Sequence, residues 1–366
     1  MTRTVVAEVP ERPPPKRYGW AGSLLVPAAS ALFVFVALVQ ALHVAGVVSF
    51  GFANWRPVVC AYLAWGVALC VGQVLRRGED GVRVLFIMPA VLFTVAMVIF
   101  PTLFGLTIAM TDWNLSSTAG RQFNGLDNFR QMLGDAYYWN ALQNMVIYSA
   151  LVLVEYTVAF GLALLLNQQI RARKLFRVVF LLPLMLSPVA VSWMIGKSML
   201  EYRFGPVANL MRWVGWDNPA FFANPWTARL TIEVMDAWTF IPFMMVVLLA
   251  GLQALPKDVM EAAEVDGASR WQTFWGVTFP LMLPVSITAI VLRIIFKLKL
   301  ADIIINVTAG GPGGATDSVT SFIFREYRDR SNVGYGTMLA FVYLILIILF
   351  VTGLLKLLNR WTRDVT

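Results

Sequence analysis

Glu155, Glu233, Asp236, Arg293, Lys297 and Lys299 stand inside stretches that are otherwise apolar enough to cross a bilayer. An ionisable group in lipid costs about 2.5–3.5 kcal/mol on insertion scales, so each must face a cavity, an oppositely charged partner or the membrane edge. Arg293 and Lys297 are four residues apart and share a helix face, whereas Lys299 points elsewhere. Two readings compete. In one, Arg293 pairs with an acid on another span while Lys297 and Lys299 snorkel to the outer interface. In the other, Glu155, Arg293 and Lys297 line a polar path for a hydroxyl-rich solute. His43, the single histidine, lies in the first apolar run and reads as a packing hydrogen-bond donor rather than a proton relay.

A second constellation is polar where a membrane protein needs only a connection. Pro256 suits the first turn of a helix, and Asp258 then sits near the positive end of the helix dipole. Val259, Met260, Ala262, Ala263 and Val265 give an apolar patch with small residues, beside the carboxylates of Glu261, Glu264 and Asp266. Gly267 can take the left-handed conformation that ends a helix, and the chain can restart at Ser269 or Arg270. Phe279-Pro280 and Leu283-Pro284 are expected to stop that second segment as the chain re-enters the bilayer. The expected product is a short helix lying across one face of the membrane. An amphipathic interfacial helix without a partner is the plainer reading.

Other chemistry is poorly provided for. No nucleophile–base pair or Cys/His cluster stands at a plausible spacing, and Cys60 and Cys70, about 15 Å apart along one helix, cannot form a disulfide. Gly196-Lys197-Ser198 mimics the end of a phosphate-binding loop, but Val191 occupies the first glycine position. Gly310-Gly311-Pro312-Gly313-Gly314 has no lysine after it and reads as a turn. No ATP site is expected in this chain.

The elements that must position these residues follow from composition. The chain has 366 residues, 58% hydrophobic and 14% charged, against about 25% charged in soluble domains. Its net charge of +8 comes from basic residues scattered among short loops, which argues for a membrane and against nucleic acid. Apolar runs near 24–50, 57–75, 84–110, 142–166, 176–196, 231–252, 282–300 and 337–358 predict an all-α integral membrane protein with eight transmembrane helices. Arg76-Arg77, Arg171-Arg173-Lys174 and Lys356/Arg360/Arg363 put both termini, and the 253–281 loop, on the cytoplasmic side. The outward loops, near 111–140, 197–230 and 301–336, carry Trp113, Tyr137, Tyr138, Trp139, Trp213, Trp216 and Trp226. Those aromatics suit an interfacial belt, a docking surface for an extracytoplasmic partner, or both.

The order Glu261-Ala262-Ala263, Asp266-Gly267-Ala268, Arg270, then Pro280 and Pro284 resembles the coupling loop of ABC-type importer permeases. The likeness extends to Gly125-Leu126-Asp127-Asn128-Phe129, Trp139-Asn140-Ala141-Leu142 and Asn144, then Pro183, Pro188 and Trp193, with Gly205 and Asn209. Trp238 with Pro242-Phe243, and Asp302 before Gly310-Gly311-Pro312-Gly313, complete it. Residues 84–358 thus resemble the maltose-type or glycerol-phosphate-type permease of carbohydrate importers. The family usually carries an acid where this chain has Phe296, and an aromatic where it has Ala301.

The resemblance implies a six-helix type I core, with residues 1–23 as a basic tail, 24–83 as two accessory helices, a coupling loop within 256–284, and 359–366 as a second tail. It implies that Glu261, Ala262, Ala263, Asp266, Gly267, Ala268 and Arg270 engage an ATPase, and it adds Trp238 to the solute path of Glu155, Arg293 and Lys297. Implied partners are a second homologous permease, two copies of an ATP-binding subunit that hold ATP and Mg, and an extracytoplasmic solute-binding protein, in the cytoplasmic membrane of a bacterium or archaeon. The chain itself would carry no cofactor and no enzyme activity. The competing class is an ion-coupled secondary transporter acting alone; eight spans without an evident internal repeat argue against it.

Overall fold

Apolar runs of about 20 residues have no water to satisfy their backbone groups inside a bilayer, so they close their hydrogen bonds along a helix. The computed structural model describes residues 19–44, 48–118 and 120–363; among them the regular elements are helices, and the bridges are the isolated pairs Thr111–Phe123 and Asn114–Asn332. Among the described residues seven helices are long and apolar enough to span a membrane, or eight if one sharply bent pair counts as a span.

Residues up to Phe104 form one compact unit and Gly105 onward another, so the third span is shared between them. In the first unit α1 (Gly19–Val44) packs on α2 (Arg56–Arg77), and α2 on the first part of α3 (Glu79–Ala109). The helices approach closely at small residues: a Cβ on Gly22 would lie 2.6 Å from the Gly72 carbonyl oxygen. Trp65 donates to Ser30, Tyr62 donates to the Leu92 carbonyl, and Phe33 stacks on Trp65 at 5.3 Å. His43 meets the Val48 carbonyl at 3.2 Å, a local packing contact. The expected 76–83 loop contracts to Gly78, whose φ of 54° lets α3 begin at once.

The second unit contains α4 (Asp127–Gly134), α5 (Ala136–Asn167), α6 (Arg173–Met185), α7 (Pro188–Met199), α8 (Pro206–Trp213) and α9 (Pro225–Ala254). Then come α10 (Lys257–Val265), α11 (Arg270–Val307), α12 (Val319–Arg328) and α13 (Val333–Arg363). The core lies between α5, α9 and α11, with Tyr148, Val152, Ala159, Ile232, Met244, Leu248, Met282 and Ala289 buried. Of the spans in the second unit α9 is the most buried, and α5, α6 and α11 pack on it.

Two sequence expectations fail. The run at 176–196 is not one straight span: α6 and α7 meet at 97°, because Ser187 caps α7 by accepting from the Ala190 N–H and Pro188 occupies its first turn. Conversely, Pro280 and Pro284 do not stop the segment that begins at Arg270. It continues to Lys297 through a π stretch at Phe274–Thr278, with Pro280 in the first turn after that stretch and Pro284 inside the helix. A wider turn just before the prolines absorbs the register change that would otherwise end the helix.

Candidate functional site

Two places hold the residues singled out from sequence. The first is the connection between α9 and α11. Pro256 is the N-cap of α10, Asp258 lies in its first turn, and Gly267 follows it at φ 73°. The Ala268 N–H donates to the Ala263 carbonyl and the Gly267 N–H to the Glu264 carbonyl, a Schellman termination. Ser269 then caps α11 in a capping box with Gln272. Residues 256–272 therefore fold into a helix, a glycine reversal and a second helix start, each end satisfied locally.

The faces of α10 divide sharply. Ala263 is buried, and Met260 reaches Thr278 of α11, whose hydroxyl contacts its sulfur. Glu261, Ala262, Glu264, Asp266, Gly267 and Arg270 are exposed, and Val265 is 86% exposed. No ion pair ties down Glu261, Glu264 or Asp266 among the described residues. A cavity of about 660 Å³ lies beside it, lined by Glu264, Ala268, Arg270, Trp271 and Phe274 among others. The segment buries one face on α11, and among the described residues nothing covers the other.

The second place is a buried charge cluster at the crossing of α5, α9 and α11. Arg293 Nε donates to Glu155 at 2.5 Å, and its Nη2 donates both to Glu155, at 3.0 Å, and to Asp236. Lys297 Nζ reaches Glu155 at 2.8 Å, Glu233 at 2.9 Å and Asp236 at 2.5 Å. Phe240 lies under the Arg293 guanidinium at 4.5 Å. The pairing expected for Arg293 is present, but Lys297 does not snorkel: both cations are fully buried, and only Lys299 is exposed. Three carboxylates draw the ammonium inward, which outweighs the modest gain from reaching water.

Glu155, Arg293 and Lys297 thus meet, together with Glu233 and Asp236, which sequence reasoning noticed but left without partners. Their three carboxylates could converge on a metal ion, but the Lys297 ammonium already occupies the space between them. Trp238 does not join them: two residues from Asp236, it points about 200° around α9 and is half-exposed. Phe243 packs edge-on against Phe296 at 5.4 Å, and Phe296 lies 6.0 Å from Phe240, so the three rings form an apolar patch beside the charges.

At the opposite end of the spans, the loop after α11 is held by side chains of α5 and α9. Asn140 donates to the Gly314 carbonyl at 2.7 Å, and Asn144 donates to the Ala315 and Asp317 carbonyls at 2.8 and 2.9 Å. Tyr148 donates to Thr316, and Arg229 to Ala315. Asp317 accepts from Ser321 and pairs with Arg325; burial pushes its carboxyl up, opposed by that guanidinium. Asn140 and Asn144 were legible only as motif residues; that they clamp a loop about 170 residues away could not be read from spacing.

The family described as binding-protein-dependent transport system inner membrane component matches residues 155–364. The trehalose/maltose transport system permease protein MalF of Thermococcus litoralis is 31% identical over 291 residues, 79% of this chain and 97% of its own. The sn-glycerol-3-phosphate transport system permease protein UgpA of Agrobacterium fabrum is 30% identical over 274 residues, 72% of this chain and 90% of its own. A solved bacterial alginate ABC transporter, in complex with an alginate pentasaccharide-bound periplasmic protein, has a chain that superposes with a TM-score of 0.68 at 21% identity. The match covers 78% of this chain and 96% of that one. The structural likeness shows a shared fold, and by sequence the chain belongs to the inner-membrane component family of binding-protein-dependent transport systems.

Proposed function

We propose that this chain is a permease subunit of an ATP-driven, binding-protein-dependent importer for a sugar, polyol or related solute, and that α10 with its glycine reversal is the coupling element. The carrying observation is the projection itself: Glu261, Glu264, Val265 and Asp266 are exposed and unpaired, while the backbone beneath them is fixed by a Schellman termination and a capping box. A rigid, locally satisfied element transmits a push better than a loop, because it does not yield when loaded. The relatives named for trehalose/maltose and glycerol phosphate transport support the solute class.

In this mechanism two ATP-binding subunits, which hold ATP and Mg, close on nucleotide and move Glu261–Arg270. The movement passes through Met260 and Thr278 into α11 and so to the helices that alternate access. Residues from 84 onward supply the six-span core beside a second, homologous permease, and an extracytoplasmic binding protein delivers solute at the 309–332 side. Both termini and α10 face the cytoplasm. The solute path runs past Trp238 and the surface above Glu155, Arg293 and Lys297, whose ion pairs hold the lining helices in register.

Co-purification tests the reading. Glu261→Lys and Gly267→Pro should release the ATP-binding subunits and abolish uptake while the chain still inserts in the membrane. Wild-type uptake by these variants, or proton- or sodium-driven uptake by this chain alone, overturns it.

A further inference from the structure

The basic face of α6 is not used by the coupling mechanism. Arg173 and Arg177 are one turn apart, and neither forms an ion pair among the described residues. Their polar contact is shared: Nη2 of each donates to the amide oxygen of Gln253 on α9, at 3.1 and 2.9 Å, in the amide orientation that satisfies both. The Nε of each is buried without a partner. Two guanidiniums held side by side on one neutral acceptor repel each other, and that arrangement calls for an anion.

The space for one adjoins them. A cavity of about 680 Å³ is lined by Arg173, Arg177, Gln253, Lys257 and Glu261, so three cations face one carboxylate. The opposite face of α6 is apolar and exposed at Leu175, Val178, Val179 and Leu182. Because α6 meets α7 at 97°, it lies across the direction of the crossing segment, as an interfacial helix does. A ligand matching both faces has a phosphate for the guanidiniums and hydrocarbon for the outer surface.

We propose that this cavity binds the phosphate of an anionic phospholipid, with Arg173 and Arg177 as the recognising pair and Lys257 assisting, and that the acyl chains lie against the apolar face of α6. Basic pockets between membrane helices take such headgroups, and guanidiniums match phosphate with paired hydrogen bonds. The site touches α10 through Lys257 and Glu261, but lipid binding is read without ATP, so its failure is separate from failure of the coupling reading.

The test uses the full chain with its co-purified subunits, in nanodiscs of phosphatidylcholine alone or with phosphatidylglycerol, and native mass spectrometry of the retained lipid. Wild type should retain phosphatidylglycerol over phosphatidylcholine. Arg173→Gln/Arg177→Gln should weaken retention about thirtyfold, Arg177→Gln alone about fivefold, and exposed Lys174→Gln far less. No anionic preference in wild type, or one that survives Arg177→Gln, overturns the proposal, and neither result depends on the double variant accumulating. A third arm adds inorganic phosphate without anionic lipid. If phosphate binds as tightly with the same arginine dependence, the ligand is a soluble phosphate and the lipid assignment fails.

Discussion

Replacing Lys297 with Met should destabilise the core far more than replacing Glu233 with Gln, although both remove one member of the same buried cluster. Three carboxylates face two cations, which leaves one formal negative charge uncompensated. Losing Lys297 doubles that excess and strips Glu233 of its ion pair, because Arg293 reaches only Glu155 and Asp236. Breaking a buried pair in this way costs about 3–5 kcal/mol, most of it from the charge left behind. Glu233→Gln moves the other way: the cluster becomes neutral, and the amide oxygen can still accept from Lys297. Its effect should lie within about 1 kcal/mol of zero. Adding Glu233→Gln to Lys297→Met should recover part of the loss, with a coupling of about 0.5–3 kcal/mol. Equilibrium unfolding in mixed micelles measures all three. If Lys297→Met unfolds like wild type, or if Glu233→Gln costs as much as Lys297→Met, the charge balance read from the geometry is wrong.

Three further outcomes follow from other parts of the chain. Gly267→Ala has open space for its Cβ, so its strain is purely that of a φ of 73°, about 1–2 kcal/mol; it should weaken ATPase co-purification while leaving insertion intact. Asn144→Leu removes the side-chain donor to the Asp317 carbonyl and leaves Ala315 with Arg229 alone; it should cost about 1–3 kcal/mol, read as faster proteolysis of the 309–318 loop. Arg325→Met removes the cation that opposes the burial of Asp317 and drives that carboxyl further up. A carboxyl raised above its ordinary 3.8 contributes its full stability below that value and loses it as pH rises through the folded pKa. The variant loop should therefore resist protease in acid and become labile toward neutral pH, whereas Asp317→Asn on the same background should remove the dependence.

What the sequence could yield divides along physical lines. The α10 projection was legible because its determinants are local: a proline before the helix, a glycine after it and Ser269 at the restart all act within a turn. The charge cluster was legible only as a requirement that buried charges find partners. Its pairings join residues up to 138 positions apart, and no local period reports them. Lys297 was misplaced for that reason, since snorkelling is the default until three acids are known to converge. The break between α6 and α7 was marked by Ser187-Pro188, a capping pair that the hydropathy of the run concealed. Pro280 and Pro284 show the reverse: local breakers overridden by a π stretch that no sequence signal announces.

Cysteine crosslinking from Val265 most directly tests the claim that α10 is the coupling element. Val265 is 86% exposed at the end of α10, so Val265→Cys places a reactive group on the projection without disturbing its buried face. In membranes containing the assembled importer it should crosslink to the ATP-binding subunit, and the yield should change when ATP is added. A crosslink to lipid or to the permease partner alone, or to no protein, with transport intact, contradicts the account.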